Sequence, residues 1–352
     1  MSQKELENIV DRLVAGAAMD RNGWLRLFSL QGDEERRYVQ QRAMEVARLN
    51  FGNGVFVRGL IEISSYCKNN CNYCGIRCGN RAALRYRLTK EQILECCRAG
   101  DGLGFNTFVL QGGEDVVQND EWVTDVVCAI KREFPDKAVT LSVGERSADA
   151  YRAFRAAGAD RYLLRHETRN DEHYSLLHPG TMSAVNRRKC LFTLKELGFQ
   201  TGSGMMIGSP YQTLEHIADD MMFLDELRPQ MIGVGPFIPA SGTPFEDFSA
   251  GSVDLTILIV SLLRLRFPHA LLPATTALAS LHSRGRELAI LAGANVVMPN
   301  LSPSDVRSKY SIYNNKKSTG GESAQQIESL RQSLDAIGYQ INFSRGDYDD
   351  KK

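Results

Sequence analysis

The amino-acid sequence predicts an α/β fold, a TIM-type (β/α)8 barrel preceded by a helical N-terminal extension. Three observations favour this fold. Eight short apolar segments alternate with amphipathic helical segments from about residue 55 onward. Glycine stands between several of the helices and the strands that follow them. Polar or glycine-rich residues follow nearly every strand, at the end where this fold places its chemistry. A doubly wound sheet is the alternative that this pattern leaves open.

The elements follow one another in a regular order. Residues 4–50 predict three helices, because apolar residues such as Leu6, Ile9 and Val10 recur at helical spacing. The expected strands are 56–63, 107–111, 138–143, 161–166, 201–207, 231–237, 271–275 and 295–298. The expected helices between them are 90–99, 122–134, 148–157, 184–197, 214–227, 255–266 and 284–291. Four glycines are expected as left-handed helix caps: Gly104, Gly158, Gly198 and Gly293.

We expect three parts along the chain. Residues 1–50 form the N-terminal helical segment, residues 51–313 form the barrel, and residues 314–352 form a C-terminal helix and a flexible tail. The helix is predicted over 324–334. The last residues, 345–352, are predicted to be disordered because they are mostly polar and charged.

Composition and charge exclude several classes of function. The chain has 352 residues, of which 43% are hydrophobic, enough to bury a large core. Lys plus Arg and Asp plus Glu are both 42, so charge gives no attraction to nucleic acid or to an anionic membrane. The first residues lack a secretory apolar core, and no apolar run is long enough to span a bilayer. A cytoplasmic, reducing location is expected, which disfavours disulfides.

A cysteine-rich loop follows the first predicted barrel strand. Cys67, Cys71 and Cys74 stand in the order C-x3-C-x2-C. Cysteine thiolates are the usual ligands of iron–sulfur clusters, and a 4Fe–4S cluster ordinarily takes four of them. Three ligands from one loop would leave one iron open to bind a substrate or cofactor, as catalytic zinc sites keep a free position. The alternatives are a zinc knuckle, or a closed electron-transfer cluster in which Cys78 is the fourth ligand.

Two arginines on one strand predict contact with an anion. Arg161 and Arg165 are four residues apart, so both point to the same face of the strand, and one face is the barrel interior. Buried arginines need anionic partners. The partner is either a substrate anion or a carboxylate of the chain, Glu62 or Glu145.

The cysteine spacing, with the aromatic Tyr73 before the third cysteine, resembles the radical SAM superfamily. The resemblance implies one 4Fe–4S cluster ligated by Cys67, Cys71 and Cys74, with S-adenosylmethionine on the open iron. It also implies reductive cleavage of that cofactor to a 5'-deoxyadenosyl radical. The residues that it implies for cofactor binding are Tyr73, Gln111, Gly112, Gly113, Glu167, Arg187 and Pro236, with Arg188 as the alternative to Arg187.

Longer stretches resemble the HydE family of FeFe-hydrogenase maturases. They include R-Y-R-L-T, V-G-P-F-I-P, L-P-A-T-T-A-L, G-A-N-V-V-M-P-N-L-S-P and Y-S-I-Y, and together they span about residues 20–315. The resemblance implies a substrate cavity inside the barrel. The residues that it implies for the lining of this cavity are Thr140, Arg161, Arg165, Met231, Thr275, Thr276, Met298, Tyr310 and Tyr313.

The same resemblance implies an activity and partners. The radical is expected to attack the sulfur of an iron carbonyl cyanide cysteine complex, made by the maturase HydG, on the way to a diiron precursor that passes to HydF. The electron is expected from a ferredoxin or flavodoxin. Residues 318–329 contain no cysteine, so we expect a single cluster. Two alternatives remain: a lysine mutase like methylornithine synthase (PylB), and a non-catalytic iron–sulfur carrier. Cys78 is unusual for the HydE family. The C-x3-C spacing of Cys74 and Cys78 resembles the sequence of PylB.

Overall fold

The computed structural model describes residues 1–30, 32–316 and 324–349. The strands are β1 (Gly54–Val57), β2 (Gly59–Ser64), β3 (Thr107–Gly112), β4 (Ala138–Ser142), β5 (Arg161–Leu163), β6 (Gln200–Ile207), β7 (Met231–Pro236), β8 (Val296–Val297) and β9 (Gln340–Asn342). The helices are α1 (Gln3–Val14), α2 (Arg21–Phe28), α3 (Asp33–Phe51), α4 (Lys90–Gly102), α5 (Asp120–Glu133), α6 (Ala148–Ala156), α7 (Asp171–Leu177), α8 (Ala184–Glu196), α9 (Leu214–Leu227), α10 (Val253–Arg266), α11 (Thr276–Leu281), α12 (Gly285–Leu291), α13 (Ser304–Arg307) and α14 (Ile327–Asp335). No helix in these ranges is long and apolar enough to cross a membrane.

The strands close into a parallel barrel, as the sequence predicts. Strands β2 to β7 pair in chain order. The ring continues from β7 to residues 271–273 through the Met231–Leu271 bridge, and from there to β8 through the Pro273–Val296 bridge. β8 pairs in turn with β1. The seventh expected strand is reduced to single bridges. Proline lacks an N–H group, so Pro273 cannot donate to a strand ladder.

Helices surround the barrel and begin and end as their sequences predict. The N-terminal extension is helical, and the side chains of Ser2 and Asp20 accept bonds from the backbone N–H groups of Glu5 and Gly23 at the first turns of α1 and α2. The four glycines expected as helix caps all have a positive φ, for example 105° at Gly158. The helices α7, α11 and α13 were not predicted, and α7 follows β5 at the carboxyl end of the barrel.

The first barrel strand differs from the prediction because it changes partners along its length. β1 pairs with β8 and β9, whereas β2 pairs with β3. The break falls at Arg58, where β9 ends beside Phe56 and β3 takes its place beside Gly59. The C-terminal strand therefore extends the sheet at the amino end of the barrel.

The predicted disorder of residues 345–352 is wrong for the part that the structure describes. Beyond β9 the chain crosses the amino end of the barrel. Arg345 pairs with Asp160 at 2.9 Å and donates to the carbonyl oxygen of Asp136 at 2.7 Å. The charged residues of this C-terminal segment form ion pairs with residues of the barrel, so the segment is not a solvated tail. Residues 350–352 lie outside the described residues, as do 318–323 of the stretch expected to lack a second cluster.

The lumen, the interior face of the barrel strands, is identified by side chains that meet across it. Arg161 Nη1 on β5 donates to Thr107 Oγ1 on β3 at 3.1 Å. Arg58, between β1 and β2, donates to Met231 Sδ on β7 at 3.1 Å. Because side chains alternate along a strand, every second residue from these positions also faces the lumen.

Candidate active site at the cysteine loop

The cysteine loop leaves β2 at the carboxyl end of the barrel. Cys67, Cys71 and Cys74 are partly buried, Cys78 is exposed, and all four thiols are free. The loop packs on α7, where the backbone N–H of Asn72 donates to the carbonyl oxygen of Leu177 at 2.8 Å. The three predicted ligands thus lie in one loop at the end of the barrel expected to carry the chemistry.

One arginine holds the loop from inside. The Arg85 guanidinium donates to backbone carbonyl oxygens of Ser65, Ile76, Arg77 and Asn80, at 2.8 Å for Ile76 and 2.7 Å for Arg77. The next residues extend this support, since Tyr86 Oη donates to the carbonyl oxygen of Glu62 at 2.7 Å. Arg87 holds the Asp115 carboxylate with two bonds of 2.6 and 3.0 Å. The R-Y-R stretch therefore fixes the shape of the loop, a role that the sequence did not indicate.

We expect Arg85→Met to lower the iron bound per chain after anaerobic reconstitution and to destabilise the protein by about 2 kcal/mol, because it leaves buried carbonyl groups without donors. Iron and sulfide analysis measures the first effect, and the urea midpoint measures the second. The control is Arg81→Met, in the same loop but exposed, which should bind iron like the unsubstituted chain. Equal iron content in the two variants would contradict this role of Arg85.

The three thiols of the loop lie where burial disfavours the deprotonated thiolate, which is the form that binds a metal. Burial raises the pKa of Cys67 and Cys71, and raises that of Cys74 to about 12. Negative charge on Cys74 and Cys67 raises the pKa of Cys71 further, which shows that the three thiols act on one another. Thiolates are the metal ligands, so a cationic group among them is needed to keep them deprotonated.

The residues present fit an iron–sulfur cluster. A cluster would supply the positive charge that three neighbouring thiolates lack, and Cys67, Cys71 and Cys74 would hold it. In the described ranges, no three His, Cys, Asp or Glu side chains are arranged for a single metal ion. The fit therefore depends on the thiols of the loop and their mutual electrostatics.

The glycine pair after β3 lies directly against the loop. A Cβ atom on Gly113 would lie 2.2 Å from the Tyr66 carbonyl oxygen and 2.7 Å from Cys67 Cβ, so no side chain fits there. Gly112 ends β3 and pairs with Ser64. Before it, Gln111 Nε2 lies 3.4 Å from Tyr310 Oη. Bare backbone beside the ligand cysteines is what a closely approaching cofactor requires.

Glu167 follows β5 in a strained backbone conformation. Its φ is 64°, its side chain is buried, and Oε2 accepts a 2.5 Å bond from Arg165 Nη2. Its negative charge raises the pKa of Tyr73 and Cys74, after the larger effect of burial. Glu167 therefore lies near the loop, and strain of this kind often occurs at functional sites.

The two candidate arginines of α8 have different surroundings. Arg187 is buried, forms an ion pair with Glu145 at 2.8 Å, and lowers the pKa of Cys71 through its charge. Arg188 pairs instead with Asp171 at 2.7 Å, a half-exposed contact on α7. Of the two, Arg187 is the one directed toward the cysteine loop.

Tyr73 is partly buried between the loop and α7. Its Oη lies 3.2 Å from His178 Nε2, and the His178 ring stacks on Tyr174 with 3.9 Å between ring centroids. Burial, followed by the charge of Arg187, lowers the pKa of His178 to about 3, so its imidazole is neutral at physiological pH. This packing fixes Tyr73 next to Cys74.

Several predicted substrate residues face the lumen with unsatisfied polar atoms. Thr140 Oγ1, Arg165 Nε and Thr275 Oγ1 are buried without a hydrogen-bond partner among the described residues. They come from β4, from the end of β5 and from the turn before α11. Buried polar atoms in proteins are normally hydrogen-bonded, so three such atoms suggest a site for a polar ligand.

The remaining predicted site residues are distributed around this group. Tyr310 is buried and reaches Gln111, and the charge of Arg165 lowers the pKa of Tyr313 against the raising effect of burial. Thr276 is the first residue of α11, and its carbonyl oxygen accepts from Ser280 Oγ at 2.9 Å. Pro236 is buried at the carboxyl end of β7.

Arg161, Met231 and Met298 lie at the opposite, amino end of the lumen. Arg161 is fully buried and donates to Asp347 Oδ1 at 2.6 Å and to the Arg345 carbonyl oxygen at 2.8 Å. Met231 and Met298 pack in one apolar cluster with Tyr348. Residues of the chain already satisfy the Arg161 guanidinium, which favours a chain carboxylate, Asp347, over a substrate anion as its partner. Neither Glu62 nor Glu145 is its partner.

Glu62 has partners that the sequence did not predict. Glu62 of β2 is fully buried, accepts from Asn300 Nδ2 at 2.9 Å and pairs with Lys316 Nζ at 2.5 Å. The Lys316 ammonium also lies 5.2 Å from the Tyr310 ring centroid. The available signal was an acidic residue within an otherwise apolar strand, which is rarely buried without a charged partner.

Comparisons with known proteins agree with this geometry. The family model described as "Radical SAM superfamily" matches residues 61–224. The HydE subunit of the [FeFe] hydrogenase maturase from Thermotoga maritima is 44% identical over 78% of this chain and 78% of its own length. The 3-methylornithine synthase of Methanosarcina acetivorans is 30% identical over 96% of this chain and 95% of its length. The crystal structure of methylornithine synthase (PylB) superposes with a TM-score of 0.83 at 29% identity, covering 95% of this chain and 97% of that one.

Proposed function

The chain belongs to the radical SAM superfamily, and we propose that within it this enzyme is a HydE-type maturase of FeFe-hydrogenase. Its relatives support an enzyme that uses a 4Fe–4S cluster and S-adenosylmethionine. The 44% identity to a HydE subunit supports the choice of maturation over other reactions of the superfamily.

We propose that the cysteine loop and its neighbours bind the two cofactors. When bound, the cluster and S-adenosylmethionine supply a 5'-deoxyadenosyl radical. Cys67, Cys71 and Cys74 would ligate the cluster. Around them, Gly112 and Gly113 offer bare backbone for the methionine part, Arg187 offers a cation for its carboxylate, and Glu167 accepts bonds from the ribose hydroxyls. Tyr73, Gln111 and Pro236 complete the walls of this proposed cofactor site.

The substrate is proposed to be an iron carbonyl cyanide cysteine complex whose sulfur is the target of the radical. One observation carries this proposal: Arg165 Nε, Thr140 Oγ1 and Thr275 Oγ1 are buried polar atoms without a hydrogen-bond partner among the described residues. One guanidinium and two hydroxyls suit an anionic complex rich in acceptor atoms. Thr276, Tyr310 and Tyr313 would line the space between this group and the cluster.

The proposed partners follow from the substrate. HydG would supply the iron complex, HydF would accept the product, and a ferredoxin or flavodoxin would provide the electron. The amino end of the lumen is covered by residues 343–348, whereas the carboxyl end carries the cysteine loop. Substrate exchange is therefore proposed at the loop end.

The test is anaerobic turnover with a defined substrate. The reconstituted enzyme, dithionite and S-adenosylmethionine should form 5'-deoxyadenosine several times faster when the synthetic iron cysteine complex is added, with loss of its infrared carbonyl and cyanide bands. Unchanged rates and intact bands would contradict the proposal.

A lysine mutase is the second candidate, favoured by the 29% identity and near-complete overlap with the methylornithine synthase structure. In the same assay, L-lysine should give no methylornithine. If methylornithine is formed and the iron complex is inert, the maturase proposal fails and the mutase replaces it.

A further inference from the structure

Two neighbouring strands present glycine to the lumen at alternate positions. Met231 of β7 faces the lumen, so Gly233 and Gly235 face it as well. In β6, Gly202 is in register with Met231 and Gly204 with Gly233. One wall of the barrel, beside β6 and β7, is therefore almost free of side chains.

Three of these four glycines have an explanation within the fold. Gly204 has a φ of 151°, and a Cβ there would lie 1.9 Å from the Gly233 carbonyl oxygen. A Cβ on Gly202 would lie 2.7 Å from Leu163 Cδ1, and one on Gly235 would lie 2.9 Å from Thr275 Oγ1. Backbone conformation at Gly204, and close neighbours at Gly202 and Gly235, favour glycine at these positions.

Gly233 has no such requirement. Its φ lies outside the left-handed region, and the nearest atoms to a Cβ there, Pro273 Cγ and the Ser203 carbonyl oxygen, are 3.9 Å away. The methyl group of an alanine would therefore lie in ordinary contact distance of the protein without a clash. Glycine inside a strand costs about 0.5–1 kcal/mol relative to alanine, so the fold gains nothing from it here. A strand glycine of this kind often marks a place where a ligand approaches the backbone.

The polar atoms around this wall point to the same ligand. Gly235 leaves room for Thr275 Oγ1, which is buried, faces the lumen and has no partner among the described residues. Thr140 Oγ1, on β4, is buried and unsatisfied in the same way. The lumen thus combines a bare backbone wall with isolated hydroxyl donors.

We propose that Gly233 sets the size limit of the substrate site, by letting a bulky, ligand-rich anionic substrate lie directly against the β7 backbone. This inference rests on the proposed function, since it assigns the wall to the iron complex. The uncharged ligand atoms of the complex pack on the bare strand, while its acceptor atoms face Thr275 and Thr140. Residue 233 therefore acts on substrate binding and has no part in cofactor binding.

The test compares Gly233→Ala and Gly233→Val with Gly102→Val, an exposed glycine of α4 with no atom within 4 Å of its Cβ position. Iron content and 5'-deoxyadenosine formation without substrate should stay within about twofold of the unsubstituted enzyme in all three. Substrate-stimulated kcat/KM should fall with side-chain volume, by at least about tenfold for valine, and stay unchanged for Gly102→Val. A Gly233→Val enzyme with unchanged kcat/KM overturns the inference while the proposed function stands.

Failure of the proposed function gives a different result. If the unsubstituted enzyme uses L-lysine instead of the iron complex, the maturase assignment fails, and the same loss or retention of kcat/KM on lysine decides the role of Gly233. If it uses neither compound, crystal structures of the full chain under xenon pressure test whether there is open space beside Gly233. Xenon density beside Gly233 that disappears in Gly233→Val supports open space there, and a wall without any density for xenon or solvent overturns it.

Discussion

Replacing Cys67, Cys71 or Cys74 individually with serine is expected to abolish 5'-deoxyadenosine formation, a loss of at least about 1,000-fold. The reason is that the three thiols act as a unit, and removing one member of such a unit costs nearly as much as removing all. Their mutual effects on pKa support this coupling. Iron and sulfide per chain, visible absorbance and product analysis after anaerobic reconstitution measure the result.

Cys78→Ser is the matched control within the same loop. Cys78 is exposed, whereas the other three are partly buried, so its loss should leave iron content and product formation near those of the unsubstituted enzyme. Two results would contradict the three-thiol site. One is loss of the cluster in Cys78→Ser to the same extent as in the others, which would indicate a closed, four-thiol cluster. The other is full activity in any of the three principal variants.

The barrel could be predicted because its signals are local. Apolar strands, amphipathic helices and helix-capping glycines each occupy a few consecutive residues, and they gave the order of elements correctly. The features that were missed depend on contacts between distant parts of the chain. β9 pairs with β1 although the paired residues Val55 and Ile341 are 286 positions apart in the chain, and nothing in either short segment specifies the other.

In the candidate site, too, the local features could be predicted and the contacts between distant residues could not. The cysteine loop was recognisable because its three thiols fall within eight residues, but the arginine that shapes it contacts backbone carbonyls, which no sequence pattern displays. Arg161 and Arg165 were expected to share a face of the strand. Four residues of strand span about 13 Å, however, so one arginine lies near the amino end of the lumen and the other near the carboxyl end. Facing the interior therefore did not imply facing the substrate.

The pairing of Glu62 with Lys316 shows the same limit on a smaller scale. The two residues are 254 positions apart, and Lys316 follows a turn at the mouth of the barrel. The sequence could indicate that a carboxylate inside an apolar strand needs a cation. It could not indicate which of many lysines and arginines folds back to provide it.

Asp347→Asn is expected to destabilise the protein by about 2 kcal/mol, because it removes the carboxylate that neutralises a buried arginine. Asp347 accepts from Arg161 Nη2 at 2.6 Å, from Arg345 Nε at 2.8 Å and from Gln200 Nε2 at 3.1 Å. Arg161 is fully buried, and the neighbouring Arg58 guanidinium adds a second positive charge nearby. Breaking a fully buried pair typically costs about 3–5 kcal/mol, and the partial exposure of Asp347 lowers that figure.

The urea midpoint of Asp347→Asn should therefore fall, and its dependence on pH should identify the cause. Burial raises the pKa of Asp347, but the Arg345 bond and the charge of Arg161 outweigh it and bring the pKa to about 2. A carboxyl group with a lowered folded-state pKa stabilises fully above its unfolded value of about 3.9, and the contribution is lost as the pH falls toward 2. The gap between the unsubstituted protein and the variant should be constant above about pH 5 and narrow below about pH 4. Asp335→Asn, exposed on α14, is the control and should shift the midpoint little at any pH. Equal midpoints for the two variants at neutral pH would show that the C-terminal segment is not held by this ion pair.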